Sequence, residues 1–165
     1  MRELLCEKRF DIISNKDKEF IIKFNKEMNK LGYGHKNVIG PGYCWGKYMI
    51  IYSKLGIKSK KIVSRIYIRK ESIVLRLYLN KINRHKEYIE NSEDFIQKAF
   101  ISEYGDCGKC HNNHDGECKF RKSYSLHDTL YNKCNGTTFE FGNPTTEKLS
   151  GYIGLLREFY PGTSK

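Results

Sequence analysis

Apolar residues recur at helical spacing over 17–31 (DKEFIIKFNKEMNKL), where Phe20, Ile21, Phe24, Met28 and Leu31 share one face. Asn15 or Asp17 would cap this helix and Gly32 would stop it. The stretch 32–46 holds Gly32, Gly34, Gly40, Pro41, Gly42 and Gly46, which predicts a loop of tight turns. Three strands are then expected, at 47–53 (KYMIIYS), 61–69 (KIVSRIYIR) and 72–80 (SIVLRLYLN). The last two alternate. Ile62, Ser64, Ile66 and Ile68 point one way, against Val63, Arg65, Tyr67 and Arg69. Ile73, Leu75, Leu77 and Leu79 share a face, opposite Val74, Arg76 and Tyr78. A hairpin turning near Lys70 and Glu71 would bring the two aliphatic rows together.

Residues 84–101 read as a helix with Tyr88, Ile89, Ile96, Ala99 and Phe100 inward, a cover for the aliphatic side of the sheet. TTFEF at 137–141 is a short strand. Asn143 and Pro144 would open a last helix whose apolar stripe is Leu149, Tyr152, Ile153, Leu156, Phe159 and Tyr160. This order, with helices flanking antiparallel strands, is that of an α+β fold and not of a doubly wound parallel sheet.

Composition adds bounds. A chain of 165 residues with 13% aromatic residues can bury a real core, which excludes a disordered chain. No apolar run approaches the roughly 20 residues that span a bilayer, so no membrane partner is expected. The opening MRELLCEKRFDII is broken by charges and does not read as a secretory signal, so a cytoplasmic location is the expectation. The formal charge of +11 suits a polyanion such as nucleic acid. However, 22 of the 30 cations are Lys, and Ile (17) and Asn (12) are also abundant. A chain-wide compositional bias would spread Lys over every surface without a partner.

Chemistry concentrates between 107 and 134, where four of six Cys and three of five His fall. Cys107 and Cys110 form a C-x2-C pair on a Gly-containing turn, and Cys118 and Cys134 follow. Four thiolates can enclose one zinc ion in a tetrahedron with sulfur at roughly 2.3 Å. Lys109, Lys119, Arg121, Lys122 and Lys133 would stabilise the thiolates. Competing uses of the same residues are disulfides, which suit an exported protein, and an iron–sulfur cluster, which takes the same four donors. A redox C-x2-C would need to open a helix. CGKCH also matches a c-type haem attachment sequence with His111 as axial ligand, but it leaves Cys118 and Cys134 without a role. Zinc on Cys107, Cys110, Cys118 and Cys134 is the preferred reading. His111, His114 or His127 could replace one Cys. With all four positions filled by protein the metal is structural. Cys6 and Cys44 are expected to be buried thiols.

The reverse face of the sheet would present Arg65, Tyr67, Arg69, Arg76 and Tyr78, with Trp45 and Tyr43 framing one end. Arg interleaved with Tyr can hold phosphate and stack a flat ring; it also pairs well on an ordinary half-buried face. No P-loop, G-x-S-x-G or H-E-x-x-H is present, and neither His35 nor His85 has a nucleophile beside it. Whether the chain is an enzyme stays open, with no catalytic residues assigned.

The segment at about 45–101, W-G-K-Y-M-I-I-Y-S followed by two strands and a helix, resembles the small YdhG-like α+β domains. The tail, from C-x2-C through CKFRKSY, YNKC, FEF and NPTTEKLSGYIGLLREFYP, resembles a cysteine-containing C-terminal segment of bacterial proteins. The resemblance implies a fold and carries no catalytic residues. The expected molecule is therefore α+β: an antiparallel sheet of three to five strands covered by helices, with a small zinc-stapled module. Its expected layout is a core at 1–104, the module at 105–142 and a helix at 143–165 packing on the core. Its expected function is non-catalytic binding of an anionic partner, nucleic acid first; the alternative is a sensor of a small aromatic or anionic ligand.

Overall fold

The structure, a computed structural model, describes residues 1–35, 38–56, 61–107, 118, 120–134 and 138–161. The chain forms two compact units. The first joins Met1–Leu77 to Glu140–Lys165, and the second is the intervening Tyr78–Phe139. The second unit thus takes in the helices before the Cys-rich segment, and the last helix belongs to the first unit.

In the first unit a short helix α1 (Arg2–Leu5) precedes α2 (Asn15–Lys30). The cap of α2 is Ser14 and not Asn15 or Asp17. Its Oγ accepts from the Asp17 amide at 3.1 Å, and the Asp17 carboxylate accepts from the Ser14 amide at 3.2 Å, a reciprocal capping box. The buried stripe is Phe20, Ile21, Phe24 and Met28, as the spacing predicts. Gly32 ends the helix region at φ +77°, where a side chain would be strained.

The loop at 32–46 contributes two minimal strands, β1 (Tyr33–Gly34) and β2 (Gly40–Pro41), both paired antiparallel to β3 (Tyr48–Lys54). Next come β4 (Ile62–Arg69) and β5 (Ser72–Tyr78), joined by the two-residue turn Lys70–Glu71 with Glu71 at φ +60°. The aliphatic rows meet in register: Ile66 faces Leu75 and Ile68 faces Ile73. A later strand β8 (Thr138–Gly142) completes the order β1-β3-β4-β5-β8. Tyr52 on β3 packs edge-on against Phe24, and Phe141 on β8 against Tyr152 of the last helix, α5 (Leu149–Phe159). The aliphatic face therefore carries α2 and α5.

The expected helix over 84–101 lies in the second unit and is two helices, α3 (Lys86–Glu90) and α4 (Asp94–Ile101). Asn91 Nδ2 and Ser92 Oγ donate to the carbonyls of Glu87 and Tyr88, and Glu93 is extended at ψ 148°. These local bonds compete with helical continuation. Helix α5 likewise starts at Leu149, not at Asn143–Pro144. Asn143 takes φ +44° and its amide donates to Ile73 in the sheet, while turns at Thr145 and Thr146 precede the helix.

The second unit also contains a hairpin that the apolar pattern did not predict, β6 (Arg121–Leu126) with β7 (Thr129–Cys134). Its turn is His127–Asp128, both at positive φ (46° and 58°), the twist that suits a two-residue hairpin. Phe100, Tyr124 and Phe139 form an aromatic core, and the Tyr124 hydroxyl donates to the Phe100 carbonyl at 2.6 Å. Among the described residues no helix is long and apolar enough to cross a membrane.

Candidate functional site

Two regions bring the chemically distinctive residues together, one in each unit. In the first unit, residues 42–47 are fastened to the end of β4. The Lys47 amide donates to the Ile68 carbonyl at 2.8 Å, and Arg69 Nε donates to the Trp45 carbonyl at 2.9 Å. Two glycines permit this. A Cβ on Gly42 would lie 2.3 Å from the Gly46 oxygen, and one on Gly46 would lie 2.8 Å from the Ile68 oxygen. The loop holds Tyr43 at φ +52°, a conformation that costs a tyrosine about 1–3 kcal/mol. Tyr43 is 78% exposed and Trp45 is 42% exposed. Both line a shallow surface recess with Lys47, Arg69 and Lys70. The sequence placed Tyr43 and Trp45 at one end of the basic face; Lys47 and Lys70 were not singled out, because Lys is everywhere in this chain.

The face behind that loop is not an open row of cations. Tyr67 is buried, in a cluster with Met49 and Val74. Arg76 is only 5% exposed. Its guanidinium lies 4.1 Å from the Trp45 ring centroid and 4.8 Å from that of Tyr67, and its Nε donates to Glu140 Oε1 at 2.7 Å. The Tyr67 hydroxyl accepts from Arg65 at 3.2 Å and from Arg76 at 3.4 Å, which eases the like-charge pairing of these two residues directly across β4 and β5. The structure brings Trp45, Arg65, Tyr67, Arg69 and Arg76 together, but it commits Arg76 and Tyr67 to holding the platform. Tyr78 is half-buried and begins the other unit. Glu140, the partner that neutralises Arg76, was missed because it is 64 residues away in sequence.

In the second unit, three of the four predicted metal ligands gather around Arg121. Cys134 is its partner in the β6–β7 register. The Cys118 carbonyl accepts from the Arg121 amide at 2.9 Å. Arg121 Nε donates to Cys107 Sγ at 3.2 Å. The segment before Cys107 is bound to the end of β7: the Cys107 amide donates to the Asn132 carbonyl at 2.8 Å, and the Cys134 amide to the Gly105 carbonyl at 2.6 Å. Cys107, Cys118 and Cys134 are free thiols. Among the described residues no three His, Cys, Asp or Glu side chains form a ready metal cluster. Cys110, His111, His114, Lys109 and Lys119 lie outside the described residues.

Two expectations about this region change. His127 sits at the closed end of the hairpin, with Nε2 2.8 Å from Gln97 Oε1. Cys134 and its partner Arg121 lie at the open end, roughly 17–20 Å away for a six-residue strand, so His127 is no candidate ligand. Lys133 is buried and ion-paired to Asp106, and among the described residues it is Arg121 that donates to a cysteine sulfur. Cys6 and Cys44 are exposed, not buried.

Comparison with known proteins finds no family model, no curated protein and no solved structure that matches this chain.

Proposed function

We propose that the chain is a zinc-binding, non-catalytic domain that takes an anionic partner, nucleic acid first. The partner lies on the edge formed by Tyr43, Trp45, Lys47, Arg69 and Lys70. The observation that carries this reading is the 42–47 loop, fastened to β4 by hydrogen bonds. It spends backbone strain to hold an aromatic side chain in solvent, beside a second aromatic and three cations. Exposed rings stack bases and flanking cations track phosphates; together they bind single strands with little regard for sequence.

The zinc component is supported by the approach of Cys107, Cys118 and Cys134 to Arg121. Four thiolates and one zinc ion carry a net −2, and a guanidinium donating to sulfur offsets part of that charge. A polar hairpin with few apolar residues gains stability from such an ion. Disulfide pairing receives no support from the free thiols.

Trp45 is the only tryptophan in the chain, so its emission reports the edge directly. A short single-stranded oligonucleotide is expected to quench it, with affinity falling steeply between about 50 and 200 mM salt. Elemental analysis is expected to find one zinc per chain. Absence of quenching, or salt-independent binding, overturns the nucleic-acid reading; metal-free folded protein overturns the zinc reading.

A further inference from the structure

Next to the basic edge, and sharing Tyr43 with it, lies an apolar hollow of about 400 Å³. It is lined by Val38, Tyr43, Met49, Ile51 and Ile62, with Ser53 adding a hydroxyl. Two local features open it. Strand β2 pairs beside Met49 and Tyr48 with only Gly40 and Pro41, whose small side chains add little bulk to that face of the sheet. The register of β3 against β4 slips between Tyr52 and Ser53, so Ile62 and not Val63 stands opposite Ser53. Ile62 thereby leaves the helix-covered row that the alternation assigned to it and becomes part of the wall.

The volume falls at the small end of ligand pockets, which run roughly 300–1,000 Å³. An apolar slot of this size beside Lys47, Arg69 and Lys70 matches a flat ring joined to an anionic group. We infer that the hollow receives one unstacked base of a single nucleic-acid strand, with its phosphate on Lys47 and Arg69. This rests on the nucleic-acid reading above and adds where a base goes. A strand fits better than a free nucleotide because the adjoining recess offers a second ring, Trp45, on the same edge. Two neighbouring stacking positions call for two successive bases. Ser53 is placed to hydrogen-bond the edge of the inserted base.

The test uses the full chain, oligo-dT and oligo-dA as strands, and adenosine monophosphate as the free nucleotide. Val38→Phe narrows the hollow from a position that is 64% exposed, so folding is not at stake. Ser53→Leu fills it from β3, and circular dichroism checks that both variants fold. Each variant is expected to weaken strand binding roughly five- to hundredfold, the worth of one lost stacking contact. The salt slope and the Trp45 quench at saturation should stay as in the parent. Unchanged affinity in both folded variants, with parental quenching intact, overturns the hollow and leaves the edge reading standing. Adenosine monophosphate binding as tightly as the strands overturns the choice of a strand. No strand binding to the parent overturns both readings.

Discussion

Arg76 on β5 and Glu140 on β8 form a largely buried ion pair, with side chains 7% and 18% exposed. The pair fixes the position of Trp45, because the Trp45 ring packs on the guanidinium. Glu140→Gln leaves the charge of Arg76 without its carboxylate. The expected loss is about 3 kcal/mol in urea unfolding, the low end for a broken buried pair, together with a shift in Trp45 emission. Replacing both residues by Met is expected to recover most of the stability, since well-packed apolar groups often replace a buried pair at no loss. An unaffected Glu140→Gln protein would show that the pair contributes nothing.

Removing a sulfur tests the metal. Cys107→Ser and Cys134→Ser are each expected to lower zinc content and to speed hydrogen exchange in β6 and β7. The strands β3 to β5 should exchange as before, since they belong to the other unit. A chelator added to the parent should reproduce the pattern. Equal exchange before and after chelation would dissociate the ion from the hairpin.

Arg121 makes a finer distinction. Arg121→Gln removes the donor to Cys107 Sγ while keeping all the thiols. Metal affinity, read by competition with a chromogenic chelator, is expected to fall about 10- to 100-fold, as for other groups that support metal ligands. A variant with parental affinity would make Arg121 a bystander.

Arg69 has two duties, a hydrogen bond to the Trp45 carbonyl and a charge on the edge. Arg69→Ala is expected to cost about 1 kcal/mol of stability and to reduce the salt slope of strand binding by about one unit. Arg69→Lys should restore the slope but not the hydrogen bond. If Arg69→Ala unfolds the chain, this position is structural.

His35 predicts acid sensitivity. Burial, and secondarily the charged amino terminus, hold its imidazole below the usual value, and its Nδ1 has no hydrogen-bond partner among the described residues. The unfolded chain therefore binds the proton more readily. Stability is full above about pH 6.5 and declines as pH falls toward the lower folded value. His35→Gln should lose less stability than the parent between about pH 7.5 and 5.5, measured by urea midpoints. Identical losses would remove His35 from the acid response.

Much of the first unit was legible because its signals are local and repetitive. Strict alternation in β4 and β5, with polar Lys70 and Glu71 between, allows one hairpin register. The β6–β7 hairpin gave no such signal. Its buried apolar side chains are only Tyr124 and Leu126, and His127–Asp128 is not a common turn pair. The break in the 84–101 helix depends on Asn91 and Ser92 turning back on their own backbone, which the spacing of apolar residues does not register. At the candidate site, alternation placed Arg65, Tyr67, Arg69 and Arg76 on one face but did not show their states. Whether Arg76 is open or neutralised depends on distant Glu140. The approach of Cys107, Cys118 and Cys134 to Arg121 likewise depends on a hairpin that was not foreseen.

The order in which the chain is made gives the first unit a late completion. Its closing strand and helix follow all of Tyr78–Phe139. On the ribosome, Arg76 emerges 64 residues ahead of the carboxylate that will neutralise it. Until then the β5 edge is bare and the Trp45 platform lacks its anchored guanidinium. The nascent chain therefore cannot complete the Arg76–Glu140 support beneath Trp45 before the cysteine-bearing insert has been synthesised.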